Sequence, residues 1–92
     1  MELNIVSPEA QLFSGEVFSI TVPGASGSFQ ILNNHAPIVS SLVAGKVKIQ
    51  GKITLDESVK HHFIKEDEQS YFLDIISGVI EVRENKIILL TD

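Results

Sequence analysis

The residues best equipped for chemistry are three histidines, His35, His61 and His62, and a run of carboxylates, Glu66, Asp67 and Glu68. Histidine titrates near neutrality and serves as general base, proton carrier or metal ligand. His35 stands in Asn34-His35-Ala36-Pro37, between an amide and a rigid proline. As a general base it would need a nucleophile to activate and an acid to orient it. No serine has a recognisable nucleophile elbow, there is no cysteine, and no acid is paired with His35 in sequence. Triads assemble in space, so a small hydrolase built on His35 stays as an alternative. The better supported reading is a loop histidine that bonds its own turn or meets a partner. His61 and His62 are adjacent, and on a strand adjacent side chains point to opposite faces, which predicts no shared metal. Gly24 and Gly27 are not a phosphate loop, which needs a Gly-Lys-Ser/Thr and a following helix; no lysine lies between Val22 and Gly45. The carboxylate run flanks a turn and reads as a solvated charge cluster. The sequence thus predicts no catalytic, cofactor-binding or metal site.

The elements that would carry these residues are short and β-like. Residues 22–42 organise the rest: Pro23-Gly24 and Gly27 punctuate the backbone, Phe29, Ile31 and Leu32 follow, and Asn33-Asn34-His35 breaks the chain again. The glycines and prolines mark the segment from Gly24 to Pro37 as a loop that presents contact surface. Leu3 and Ile5 alternate with polar neighbours until Ser7-Pro8-Glu9 stops them. Residues 11–22 form the longest β-like run; Gly15 is expected to bend it, with Phe18, Ile20 and Val22 on one face. Residues 38–42 are short and apolar. Val47, Ile49, Ile53 and Leu55 alternate with a face carrying three lysines, as in strands that resist edge pairing. Residues 56–70 fit a helical stripe or a strand; a strand and hairpin are favoured. Residues 71–76 and 79–82 are expected to be strands about a bend at Ser77-Gly78. After a turn at residues 83–85, Ile87-Ile88-Leu89-Leu90 suggests burial on both faces. Turns at roughly 8–12-residue spacing indicate a sandwich or barrel.

Composition narrows the partners. The chain has 92 residues, suited to one small domain, 1–92, and a net charge of −5. An acidic surface argues against non-specific nucleic-acid binding and against a polybasic contact with lipid. No apolar run approaches the ~20 residues of a membrane-spanning helix, so direct membrane insertion is not expected. The N-terminus lacks the basic and long apolar regions of a signal peptide, and is expected to be unprocessed.

Four stretches occur together in order: Val6-Ser7-Pro8-Glu9, then Leu12-Phe13-Ser14-Gly15-Glu16-Val17, then Pro23-Gly24 with Gly27 and His35-Ala36-Pro37, and finally Ser77-Gly78-Val79-Ile80-Glu81-Val82. Over nearly its whole length the chain resembles the N-terminal domain of the ATP synthase epsilon-subunit family. The resemblance implies an all-β fold, a sandwich of two antiparallel sheets. It implies a non-catalytic rotor (central stalk) subunit linking the gamma subunit to the polar loops of the membrane c-ring. Such a subunit would couple proton translocation to ATP synthesis, peripheral on the cytoplasmic face of the inner membrane. By alignment with family positions, Ser28, within Gly27-Ser28-Phe29, would approach the ring, and Ser7, His35 and Ser40 would face gamma; Gly27 and Phe29 are expected to bind a partner as part of the same loop. Ser28 stands where the family is often acidic, so charge pairing to the ring at that point is not implied. Many members continue into two C-terminal helices that restrain ATP hydrolysis, some binding ATP there. This sequence ends at Thr91-Asp92, so neither the helices nor their inhibition is expected of it. Residues 53–69 exceed the usual family hairpin. The alternative is a free-standing binding sandwich with an unrelated protein partner.

Overall fold

Alternation of apolar and polar residues sets nearly every element of the computed structural model, which describes residues 1–92. Ten strands form: β1 (Glu2–Val6), β2 (Gln11–Glu16), β3 (Ser19–Gly24), β4 (Gly27–Leu32), β5 (Ile38–Leu42), β6 (Gly45–Gln50), β7 (Phe63–Asp67), β8 (Ser70–Ile75), β9 (Gly78–Arg83) and β10 (Lys86–Thr91). One 3-10 turn, Lys60–His62, precedes β7. The strands make two five-stranded layers, β2-β1-β10-β9-β5 and β4-β3-β6-β8-β7. A single bridge between Gly24 and Leu42 joins them into one hydrogen-bonded path. The all-β sandwich is therefore present; one ladder, β1 against β10, is parallel and the others are antiparallel.

The layers curl over one core. Leu3, Ile5, Ile80, Val82, Ile87 and Leu89 from the first meet Ile20, Val22, Ile31, Val47 and Ile49 from the second, all essentially inaccessible to water. Removing such side chains from water is the main stabilising term, about 1.5–3 kcal/mol each. At the seam the backbones come very close. A Cβ on Gly24 would lie 2.7 Å from the Gly27 carbonyl oxygen and 2.7 Å from the Phe29 ring. A Cβ on Gly78, opposite Leu42, would lie 2.6 Å from the Leu90 carbonyl oxygen. Glycine is needed at both because nothing larger fits.

Several expectations are corrected. Gly15 does not break the run over residues 11–22. It stays in the ladder opposite Leu3, and the Phe13 ring covers it, 3.1 Å from where a Cβ would sit. The break falls at Val17-Phe18, which leaves Phe18 exposed, away from Ile20 and Val22. The ladder irregularity lies instead at Ile5/Val6, opposite Phe13 and Gln11. β6 ends at Gln50; Ile53 and Leu55 pack partly on the core from outside any strand. Residues 59–62 turn rather than extend, so Val59 and Phe63, four apart, are both buried. The hairpin that follows, β7 with β8, is as expected. β10 is buried on one face only: Ile87 and Leu89 point in, Ile88 and Leu90 point out.

Candidate docking surfaces

Residues 24–37 are not one loop. Gly24 pairs with Gly27 around the two-residue turn Ala25-Ser26, and Gly27 takes a φ of 125°, which its lack of a Cβ permits. The chain then runs back as β4, an edge strand on β3, before turning at Asn33-Asn34. Gly27 and Ser28 therefore sit at the seam, beside exposed Val43 and Ile76. His35 lies at the other end of β4. Five residue steps separate Gly27 from Leu32, about 16 Å of strand. The two ends of the segment expected to be one contact loop thus occupy opposite ends of the fold.

Each has a local role. Ser28 is exposed opposite Pro23. Phe29 is half-buried, its ring lying over Gly24, so it fills the seam more than it presents a side chain. The Ser7 hydroxyl closes the β1–β2 turn, donating to the Ala10 carbonyl at 3.2 Å and accepting from the Ala10 N–H at 3.3 Å. Ser40 is half-buried in the middle of β5, opposite Ile80, and its hydroxyl donates to the Ser41 carbonyl at 3.3 Å. The half-buried His35 donates from Nδ1 to the Ala36 carbonyl at 2.6 Å. Asn34, at a φ of 62°, donates its backbone N–H to Asn85 Oδ1 at 2.7 Å. Asn85 Nδ2 in turn donates to Asn33 Oδ1 at 2.8 Å. Contrary to the strand argument, His61 and His62 lie side by side in the 3-10 turn, ring centroids 4.1 Å apart, but no third ligand joins them.

The outer faces of the two layers differ in a way the sequence reading missed. On the second layer, Lys46 pairs with Asp74 at 3.0 Å and Lys48 with Glu66 at 3.2 Å, both lysines near the Phe72 ring. That face satisfies its own charges. On the first layer, Leu90 stands between Val6 of β1 and Val79 of β9, with Ile88 beside it and Val39 across Glu81. Val39 is 69% exposed, Leu90 50%, and Val79 and Ile88 42% each. Val6, Leu90, Val79 and Ile88 form an apolar patch, with Val39 beyond Glu81, and an exposed apolar patch rimmed by polar residues marks an interaction surface. Ile87 to Leu90 carries no alternation of its own; pairing within the layer is what turns Ile88 and Leu90 outward.

Two carboxylates titrate low. The Ser58 hydroxyl and backbone N–H hold Asp56 below the ordinary aspartate value of 3.8. Backbone N–H groups of Ser77 and Ile76, with the Thr91 hydroxyl, do the same for Asp92. Both are solvated turn-stabilising groups.

Comparison with known proteins fits this geometry. The family model described as "ATP synthase, Delta/Epsilon chain, beta-sandwich domain" matches residues 1–92. The ATP synthase epsilon chain of Chlorobium limicola is 38% identical over 91 residues, 99% of this chain and 88% of the relative. That of Leptospira interrogans is 35% identical over 92 residues, the whole of this chain but 61% of the relative, so this chain spans less than two thirds of that relative's length. Among solved structures, a chain in the central stalk and c-ring assembly of Tetrahymena thermophila mitochondrial ATP synthase superposes with a TM-score of 0.72 at 17% identity, over 98% of this chain and 61% of that one. A chain of the Euglena gracilis mitochondrial ATP synthase gives 0.75 at 18%, over 97% and 48%. At such identities these structures establish likeness of fold.

Proposed function

The chain belongs to the ATP synthase delta/epsilon family, and from that premise we propose that residues 1–92 form one epsilon-type β-sandwich domain of the rotor. In this reading the protein is a non-catalytic subunit of the central stalk. It links gamma to the polar loops of the c-ring and so couples proton translocation to ATP synthesis. It is held at the cytoplasmic face of the inner membrane through those partners. No helix is long and apolar enough to cross a membrane.

The observation that carries the proposal is the exposed apolar row of Val6, Leu90 and Val79, with Ile88 beside it, on an outer face rimmed by Glu81, Arg83 and Lys86, while the other layer's lysines are held in ion pairs. A torque-transmitting body needs a wide dry interface with the shaft, and the Val6, Val39, Val79, Ile88 and Leu90 stripe supplies one for gamma. His35, at the far end of β4, would add a polar contact to it; Ser40 stands opposite Ile80, on the side of β5 turned from Val39, and would reach gamma only at the β5 edge. Ser7, fastened in the β1–β2 turn, would bound it at the seam end of β1. The seam end, with Gly27, Ser28, Val43 and Ile76, is free to meet a second partner, the ring. The half-buried Phe29 would support that end from beneath. Two separated surfaces are what a link between two bodies requires, and a close-packed core between them deforms little under load.

The test is binding of the 92-residue chain to purified gamma and to purified c-ring. Ser28→Lys is expected to weaken, or make salt-dependent, the ring contact alone. His35→Ala is expected to weaken the gamma contact alone, and melts of both variants should match wild type. Wild-type chain that binds neither partner would favour the free-standing module. Equal loss of both contacts in each variant would show that the two ends do not act separately.

A further inference from the structure

Resting on the proposed docking role of the His35 loop, we infer that Asn85 is the positioning residue of that loop. Residues 33–37 leave β4 and re-enter at β5 without a ladder of their own. His35 bonds only within the loop, to the Ala36 carbonyl. The two hydrogen bonds that tie the loop to the rest of the fold both end on the side chain of Asn85: its Oδ1 accepts the Asn34 N–H at 2.7 Å, and its Nδ2 donates to Asn33 Oδ1 at 2.8 Å. One amide, about fifty residues away in sequence, is satisfied on both ends by one loop.

The setting makes Asn85 a fixed post. Arg83 pairs with Lys86, so Glu84 and Asn85 are the two central residues of the β9–β10 hairpin. Both have positive φ, 51° and 61°, the geometry of a type I′ turn. The Asn85 backbone carbonyl also accepts the Glu2 N–H at 3.2 Å, which anchors the start of β1. The side chain is half-buried between these elements. Asn34 occupies the left-handed region as well, where asparagine is among the few side chains at ease. The loop conformation that presents His35 is therefore held across the sandwich, from the turn of the opposite layer. Ordering it before docking lowers the entropy lost on binding.

Asn85→Gly separates this role from a structural one. Glycine suits a type I′ turn, keeps the backbone carbonyl, and removes both side-chain bonds. Asn85→Asp is the conservative variant: its carboxylate accepts the Asn34 N–H and, with the Asn33 amide turned over, the Asn33 Nδ2 as well. Hydrogen exchange of the Asn34 amide reads the clasp without any partner, and titration with purified gamma reads docking. Asn85→Gly is expected to raise Asn34 exchange about fivefold to tenfold, as for loss of one ordinary hydrogen bond. It should weaken gamma binding by about threefold to tenfold while the melting temperature stays near wild type, and Asn85→Asp should restore both. Unchanged Asn34 exchange in Asn85→Gly overturns the inference. So does unchanged gamma affinity where His35→Ala weakens it. If His35→Ala itself leaves gamma affinity intact, the docking role of the loop fails, and the positioning role fails with it.

Discussion

Leu90 is the sharpest probe of the open face. Half its surface is accessible, and it sits between Val6 and Val79 at the centre of the stripe. Full burial of a leucine side chain is worth about 1.5–3 kcal/mol, so docking has roughly half of that, about 1 kcal/mol, left to gain there. Leu90→Ala is then expected to weaken gamma binding about fivefold at 25 °C. Leu90→Glu does more, because docking must also strip water from a carboxylate that has no cationic partner in the stripe. Unpartnered polar groups cost about 2–7 kcal/mol to bury, so a loss of at least a hundredfold is expected. Folding should suffer far less. The outward side of a strand feels side-chain changes at the level of about 1 kcal/mol, or roughly 4–8 °C in a domain of this size. Calorimetric titration against purified gamma, with a melt of each variant, measures both. Lys46→Ala on the paired face is the control, since an exposed ion pair contributes at most about 1 kcal/mol to stability and nothing to docking there. A folded Leu90→Glu variant binding gamma within twofold of wild type would refute the assignment of this face. Equal loss in the Lys46→Ala control would refute the distinction between the faces.

Two further outcomes concern the fold. Gly24→Ala forces a methyl group to within 2.7 Å of a carbonyl oxygen and an aromatic ring at the seam; overpacking of that kind costs about 1–3 kcal/mol, and a thermal melt should fall accordingly. Asp92 should titrate below 3.8 by carboxyl NMR, because three hydrogen bonds favour its charged form. Its folded pKa is depressed, so its contribution to stability is complete above the unfolded value and is lost as pH falls through the folded one. The acid limb of the stability profile, below about pH 4, should therefore flatten in Asp92→Asn.

How much of this was legible in the sequence depends on the range of the interaction involved. Strands whose alternation is local, β1 and β6, can be read from a few residues, and so can the turns at Ser7-Pro8 and Glu84-Asn85. Gly15 and residues 87–90 were misread because their meaning is set by neighbours distant in sequence. Gly15 is small to admit the Phe13 ring beside it, a packing fact with no periodic signature. The four consecutive apolar residues of β10 look like a strand buried twice. Only the layer they join, with nothing covering its outer side, shows that Ile88 and Leu90 are surface.

The same limit governs the candidate surfaces. Glycine and proline density correctly marked residues 24–37 as unusual, but it could not say that β4 runs through the middle and carries the two ends apart. That separation follows from strand pairing, since Gly24 meets Leu42 at the seam while Asn34 meets Asn85 at the far end. Composition also hid the contrast between faces. A net charge of −5 describes the whole chain, whereas the Lys46–Asp74 and Lys48–Glu66 pairs stand on the outer face of one layer and the row of Val6, Leu90 and Val79 on that of the other. The arrangement has a mechanical consequence. In the proposed role, load that enters through the apolar face and leaves through Gly27 and Ser28 has two routes, the backbone bonds at the seam and the shared core. The packing of Ile20, Ile31, Ile49, Ile80 and Leu89 across that core backs the narrow seam and keeps one surface in register with the other.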